Sequence, residues 1–422
     1  MRRVPDVRPP HPSASTRPPG SPPRREPVTV ALSGAEFGWG SSGKLSAVLS
    51  ALRARSPVPL RFVGLDSGLG RPLLAEHPVE RWYDLPDSAP GVAGVIEEVV
   101  RSHGVRAAVV VLDGPVAKAL EAAGVPTVFV DSLPFLWTEG DRGALPLDAT
   151  VYCAQRCLEL PPESQDVLAS AAGLRWVEAV IGTSPVPRAG ERPGRRCRKA
   201  VVSLGGLRAP RLADWSCYPR VVVPAALEAL AAHGVRDVCL AGNLPAGLLA
   251  RFVEQAPMPL RVTAGALPHR AFLAELAGCD VLLASPGLTT LLEAGSLGVP
   301  VVCLPPQNLS QIFNGRSHGR AVGADVRVTW PEDVLREEEA LALRVKGEDH
   351  ALELIYEAIG KAAAATDEER VMAALTDGIL AALRRAAGPA DWGALTEAVG
   401  TGGAAQVADA VLGTVGAPPP GA

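Results

Sequence analysis

From residue 28 onward the chain alternates short β-branched runs that end in Gly, Asp or Pro with longer Ala- and Leu-rich stretches of helical amphipathic spacing. That alternation is the mark of βαβ units, in which a strand buried on both faces reads as one continuous apolar run. A first series predicts strands at "VTVALSG", "LRFVGLD", "AAVVVLDG" and "PTVFVDS", with helices at "GKLSAVLSALRAR", "GVAGVIEEVVRSHG" and "PVAKALEAAG" between them. A second series runs through strands at "KAVVSLGG", "VRDVCLAG", "LRVTAG", "DVLLASPG" and "VPVVCLPP", interleaved with helices at "VVPAALEALAAHG", "HRAFLAELAGC" and "LTTLLEAGSLG". Charged helical text follows residue 330, and a last weak helix is read in "QVADAVLGTV".

Between the two series lies "TSPVPRAGERPGRRCRK", aperiodic and rich in Pro, Gly and Arg, as a linker would be. The Pro- and Arg-rich opening residues and the closing "GAPPPGA" bury too little apolar surface to offset the entropy of ordering them. The expected organisation is α/β: a disordered tail over 1–26, a Rossmann-like domain over 27–182, a linker over 183–199, a second Rossmann-like domain over 200–386, and a C-terminal helix with a disordered tail over 387–422. A chain of 422 residues is long enough for two such cores.

Charge narrows the partners. With 41 basic and 45 acidic side chains and a net charge of -4, the chain has no general attraction for a polyanion, so nucleic acid is not an expected partner. No apolar run of about 18 residues is free of charges and breakers, and no signal peptide is read before the first strand, so neither membrane insertion nor secretion is expected and the cytoplasm is the default. The seven cysteines are dispersed and form no CxxC pair, which suggests neither a disulfide framework nor a zinc cluster. Cys153 and Cys157 share a possible helix face and read as small core residues. Nothing in the composition sets an oligomeric state.

In open parallel sheets ligands bind beyond the carboxyl ends of strands, where helix N-termini offer unpaired N–H groups. The stretch "CDVLLASPGLTTLLEAGSLGVPVVCLPPQNLSQIFNG" places Ser285-Pro286-Gly287 at such an end, with a helix starting near Leu288. Gly287 lets a phosphate approach that helix, Thr289 adds a hydroxyl, and Glu293, one turn later, is a carboxylate suited to a ribose diol. After the next strand, Gln307, Asn308, Gln311 and Asn314 are uncharged groups suited to sugar hydroxyls. Singly each fits a solvated helix residue or a cap; the ordered combination reads as a nucleotide-sugar clamp.

That stretch resembles the donor-site signature of GT-B glycosyltransferases, notably the peptidoglycan N-acetylglucosaminyltransferase and the UDP-glycosyltransferases, matching at Gly287, Thr289, Glu293, Gly298, Pro300, Pro305, Gln311 and Asn314. The resemblance implies two Rossmann-like domains facing across a cleft, the first taking the acceptor and the second the nucleotide sugar. It implies that Gly287, Leu288 and Thr289 meet the diphosphate, Glu293 the ribose and Gln311 the sugar, with Gly205 and Gly206 as a second glycine turn. The "SGAEFGWGSSGKL" stretch, with Gly38, Gly40, Ser41, Ser42 and Gly43, resembles the family's glycine-rich first loop, but Lys44 stands where many relatives carry a catalytic His. The phrases "AEFGWGSSGKLSAVL" and "VDSLPFLW" together resemble the cytosylglucuronate synthases of nucleoside-antibiotic pathways, which use UDP-glucuronic acid and cytosine.

The expected activity is therefore sugar transfer from a UDP-sugar substrate to a small acceptor, with no cofactor and no DxD-type metal pair, the leaving UDP being stabilised by helix N-termini and Lys44. Asp131 and Glu36 are the candidate general bases, with His318 and His269 behind them. Phe135 and Trp137 are placed to stack on a flat acceptor, and Arg316 or Lys44 to meet a glucuronate carboxylate. The rival reading is a phosphate-binding NTPase loop, Gly38 to Lys44, with Asp113 as magnesium ligand; Leu45 removes its hydroxyl ligand. A relative that binds nucleotide sugar without turnover is the other alternative.

Overall fold

The computed structural model describes residues 26–416 apart from 67, 87, 187–196, 207–211, 213–214 and 365–367, so the two expected disordered tails and most of the expected linker lie outside the described residues. The first β-rich series builds a sheet from β1 (Val28–Gly34), β2 (Leu60–Leu65), β3 (Val79–Tyr83), β4 (Val105–Val111), β5 (Thr127–Asp131), β6 (Val151–Gln155) and β7 (Leu174–Val177), in the order β3-β2-β1-β4-β5-β6-β7. The second builds β8 (Lys199–Gly205), β9 (Asp237–Gly242), β10 (Arg261–Gly265), β11 (Val281–Ala284) and β12 (Val301–Cys303), in the order β10-β9-β8-β11-β12. Every pairing is parallel, and in each sheet the strand order reverses beside the first strand, between β1 and β4 and between β8 and β11. Such reversal points open a crevice at the strands' carboxyl ends.

Helices α1 (Trp39–Arg55), α2 (Arg71–Leu74), α3 (Ala89–His103), α4 (Gly114–Ala122) and α5 (Pro162–Leu168) belong to the first sheet. Helices α6 (Cys217–His233), α7 (Ala246–Glu254), α8 (His269–Gly278), α9 (Leu288–Ser296) and α10 (Leu309–Val322) belong to the second. The charged C-terminal text forms α11 (Glu337–Ala342), α12 (Glu348–Ala362), α13 (Glu368–Ala386), α14 (Ala394–Val399) and α15 (Gly403–Thr414). Among the described residues no helix is long and apolar enough to cross a membrane.

Three strands escape a reading based on apolar runs. β3 ("VERWY") and β7 ("LRWV") are edge strands whose outward positions are charged or half-exposed, so neither is a continuous hydrophobic run. β6 is fully buried but only five residues long, and it ends on Gln155. Cys153 consequently lies in a strand and shares no helix face with Cys157.

Both faces of each sheet are covered. On the first, Val30, Leu32, Val109 and Val130 pack against Leu45, Val48, Leu49 and Leu52 of α1 and against Val407, Val411 and Leu412 of α15. The opposite face packs Ala31, Val63, Val110 and Phe129 on α3 and α4. On the second sheet, Val202, Leu240 and Leu283 face α6, α12 and α13, while Val201, Leu282 and Ala284 face α8 and α9.

The chain thus crosses between the sheets twice, and α15 ties the second crossing to the first. Gly402 N–H donates to Glu178 Oε2 at 2.7 Å, Glu178 N–H to Gln406 Oε1 at 2.8 Å, and Arg55 grips Asp409 through two contacts of 2.7 Å. Burial of Val407, Val411 and Leu412 contributes about 1.5–3 kcal/mol each. Gly403 lies so close to this crossing that a Cβ would stand 2.1 Å from the Glu178 carbonyl oxygen. Gly403→Ala should therefore lower unfolding stability by about 1–3 kcal/mol in urea titrations. Gly413→Ala, on the same helix with nothing within 4 Å, should raise it by about 0.5–1 kcal/mol.

Candidate functional site

A cleft opens between the two sheets at their carboxyl ends, lined by residues of both. Four helices begin on its wall: α1 after Gly38, α8 after Pro268, α9 after Gly287 and α10 after Asn308. Each helix start carries roughly half a positive charge from its unpaired N–H groups. None of the four first turns holds an acidic residue, and the N-caps of α1, α8 and α9 make no side-chain hydrogen bond. Only α10 is capped, by Asn308 Oδ1 accepting from Gln311 N–H at 3.0 Å. The uncapped amides of two domains therefore face one volume, an arrangement that attracts an anion.

The glycines of the first domain do not form the expected open loop. Gly38 is the N-cap in extended backbone and the helix starts at Trp39, so Gly40, Ser41, Ser42 and Gly43 are its first turn, with both serines buried. A Cβ on Gly40 would lie 3.6 Å from Thr289 Oγ1 and one on Gly43 3.5 Å from Thr289 Cγ2, ordinary contact distances that mark where α1 lies against α9. Gly206 is required for contact, since a Cβ there would stand 2.1 Å from the Trp39 ring, while Gly205 holds a left-handed φ of 67°. Gly38 and Gly287 differ: an added Cβ meets nothing within 4 Å at the first and nothing nearer than 3.8 Å at the second. Space is left in front of both uncapped helices that no protein atom fills.

Beneath these helix starts lies a buried charged cluster. Lys44, 1% exposed, reaches from α1 to donate to Thr289 Oγ1 on α9. Glu293, one turn along α9 and 1% exposed, takes hydrogen bonds on Oε1 from Gly182 N–H at 3.1 Å and from His269 Nε2 at 2.7 Å. Gly182 sits on the first crossing between domains, and a Cβ on it would stand 2.6 Å from the His269 ring. Burial drives the Lys44 pKa down to about 8 despite the attraction of Glu293. For His269, burial opposes the charged form, but the charge and hydrogen bond of Glu293 outweigh it and raise the pKa above its ordinary value. Glu293 lines the cleft with one oxygen committed to protein, and its Oε2 takes no hydrogen bond among the described residues.

The other expected donor residues divide into wall and support. Ser285 lines the cleft, but its Oγ is shared by Tyr218 Oη at 3.0 Å and Gln307 Nε2 at 2.8 Å. Gln307 stands behind this turn, also accepting from Tyr356 Oη at 2.9 Å, and is no part of the wall. Gln311 lines the cleft and accepts Gln307 N–H on Oε1 at 2.9 Å; Asn314 Nδ2 braces the Pro286 carbonyl at 3.1 Å. Leu288 and Thr289 are on the wall beside Gly287.

Of the expected bases, Asp131, Glu36 and His318 do not line the cleft, whereas His269 does. Asp131 is fully buried and accepts from Trp137 Nε1 at 2.6 Å, Tyr152 Oη at 2.9 Å and Leu133 N–H at 3.0 Å; burial outweighs these bonds and pushes its pKa up to about 6. Its carboxylate organises the end of β5, out of reach of an acceptor. Glu36 accepts Leu69 N–H at 3.0 Å, and its neighbours Ala35 and Phe37 line the cleft instead. His318 is buried without a partner on either ring nitrogen, its pKa pushed down to about 4 by burial, with its ring stacked near Trp392. Phe135 packs on Phe313 of α10 at 5.7 Å, and Arg344 donates to the carbonyls of Leu136 and Trp137 at 3.0 Å, so the presumed stacking aromatics form a contact between domains. Arg316 pairs with Glu337 and Glu338 in a separate groove.

His269 becomes the central titratable group that a reading by motif had ranked low. It opens α8 immediately beyond β10, and the strand-end rule applied to β10 would have singled it out. The NTPase arrangement is absent: Gly38 to Lys44 is the uncapped start of α1, Lys44 points at Thr289, and Asp113 caps α4 by accepting Val116 N–H at 3.2 Å and also accepts from Ser33 Oγ at 3.0 Å. Among the described residues no three His, Cys, Asp or Glu side chains gather as metal ligands.

Lys44 generates a stability prediction. Its folded pKa of about 8 lies below the ordinary 10.5, so between those values the unfolded state binds more protons and stability rises with pH; below pH 8 the penalty is present in full. Lys44→Met should therefore raise the Tm at pH 7 and flatten the rise between pH 8 and 10.5, read as the variant-minus-wild-type difference in thermal scans.

No protein-family model matches the chain, and no curated protein matches its sequence. Solved structures do match. MurG of Acinetobacter baumannii superposes with a TM-score of 0.50 at 14% identity, over 92% of this chain and 100% of that one. Os79 from O. sativa, solved in complex with UDP, gives a TM-score of 0.50 at 13% identity, over 91% and 100%. A putative UDP-N-acetylglucosamine 2-epimerase from Listeria monocytogenes gives 0.51 at 15% identity, over 85% and 96%. With its two parallel, doubly wound sheets facing across the cleft, the chain has the GT-B fold.

Proposed function

We propose that this protein transfers a sugar from a UDP-sugar to a small acceptor without a catalytic metal. The observation that carries the reading is the convergence of the α1, α9 and α10 N-termini on one cleft, two of them uncapped, with no acidic side chain in any first turn. Charge that develops on a departing diphosphate is met there by fixed backbone dipoles, which need no reorganisation as the bond breaks. Phe37, Leu73, Leu112 and Leu133 make the first domain's wall apolar, suited to an acceptor with an aromatic or apolar body. His269 and Glu293 are the titratable side chains that line the cleft among the described residues, so removal of an acceptor proton falls to that hydrogen-bonded pair. Os79, of the same fold, is a UDP complex, which supports the choice of nucleotide.

The narrower reading is UDP-glucuronic acid as donor and cytosine or a related nucleobase as acceptor, in nucleoside-antibiotic biosynthesis. Its support is the pair of phrases "AEFGWGSSGKLSAVL" and "VDSLPFLW". Neither Arg316 nor Lys44 lines the cleft, so within this reading the sugar carboxylate is met by amides and neutral side chains.

Calorimetry against UDP, UDP-glucose, UDP-GlcNAc, UDP-glucuronic acid and ATP with magnesium tests the nucleotide class. UDP should bind in EDTA, ATP should not, and one UDP-sugar should exceed the others; preference for ATP with magnesium would sink the proposal. Gly287→Val puts a side chain into the empty space before α9 and should weaken UDP by about tenfold or more, a loss of at least about 1.4 kcal/mol, with the fold retained by circular dichroism. UDP-sugar binding without turnover across an acceptor panel would identify a non-catalytic relative, and an epimeric product formed without acceptor would identify an epimerase.

A further inference from the structure

The Lys44–Thr289 hydrogen bond joins a side chain that does not line the cleft to one that does. An ammonium has donors only, so in this pair the threonine oxygen must accept. Its own O–H proton is then left to donate elsewhere. Two directions are open: the Gly40 carbonyl at 3.4 Å, at the long limit of a hydrogen bond, and the cleft in front of the α9 amides. A phosphate oxygen against those amides is the stronger acceptor, and a hydroxyl already accepting from a cation is a stronger donor.

Taking the UDP-sugar reading as its basis, we propose that Lys44 is a positioning residue that never touches the nucleotide: it holds the Thr289 oxygen as an acceptor and thereby turns the Thr289 proton onto the diphosphate. The bond spans the two domains, at a point where α1 lies in side-chain contact with α9. The first domain therefore completes the phosphate site of the second, and separating the domains would withdraw one donor from the nucleotide. Burial of Lys44 at a cost in stability fits a group retained for this purpose.

A double-mutant cycle read as UDP affinity by calorimetry separates this role from a plain electrostatic one. Lys44→Met and Thr289→Val should each weaken UDP by about tenfold, and the double variant by about tenfold again rather than a hundredfold, because both remove one donor. In a Thr289→Ser background, which keeps the hydroxyl, Lys44→Met should once more cost about tenfold. If Lys44→Met weakens UDP equally in the wild-type and Thr289→Val backgrounds, its charge acts through space and the proposal falls while the nucleotide site stands. If Thr289→Val and wild type bind UDP alike, or wild type binds none, the phosphate site itself falls with it. Circular dichroism and thermal scans of each variant confirm that the compared proteins are folded.

Discussion

The approach of α1 to α9 across the cleft governs the rest of the molecule. Two helix starts aimed at one volume repel each other and every cation near them, and the structure nevertheless buries Lys44 beside both. Glu293 offsets part of that positive field from below, and its bonds to His269 and to the amide of Gly182 fix it between the domains. Glu293 is the acidic side chain of the wall among the described residues, so the field of the helix starts is only partly offset. That field suits an anion in the cleft, so the geometry that brings the helix starts together also bears on what the site accepts.

Domain closure and ligand geometry are consequently one problem. Gly182 and Gly206 are small because a neighbour from across the domain boundary or from the linking segment occupies the space of a side chain. At Gly38 a side chain would meet nothing within 4 Å, and at Gly287 nothing nearer than 3.8 Å. The first group sets the angle between the sheets, and the second leaves room for what binds there. Further out, Arg344 on the Leu136 and Trp137 carbonyls, Phe135 against Phe313, and the return of α15 hold the same closure from three other directions.

Much of this was legible in the residues. Four of the five strands of the second sheet are apolar runs bounded by Gly, Asp or Pro, β10 being a half-exposed edge, and the donor-side turn at Ser285 to Gly287 sits at a strand end, as periodicity and punctuation require. The first sheet was legible only in part, since β3 and β7 are half-exposed edges and β6 is short. Residues with two plausible roles were not separable: Gln307 and Gln311 read alike, yet one braces a turn behind the wall and the other faces the cleft. Asp131 carries every sequence mark of a base at a strand end, yet Trp137, six residues on, and Tyr152 of the neighbouring strand consume its carboxylate.

The linear order of apolar and polar positions by itself determined two parallel-sheet domains, their strand ends and a donor-type helix start after Gly287, because those features follow from local periodicity and backbone preference. Which side chains reach the cleft was decided by the tertiary structure alone. Hydrogen bonds such as Lys44 to Thr289, 245 positions apart, and burial such as that of Asp131 depend on how two separately folded sheets dock. A side chain's charge state and direction are set by its neighbours in space, and no spacing along the chain records them.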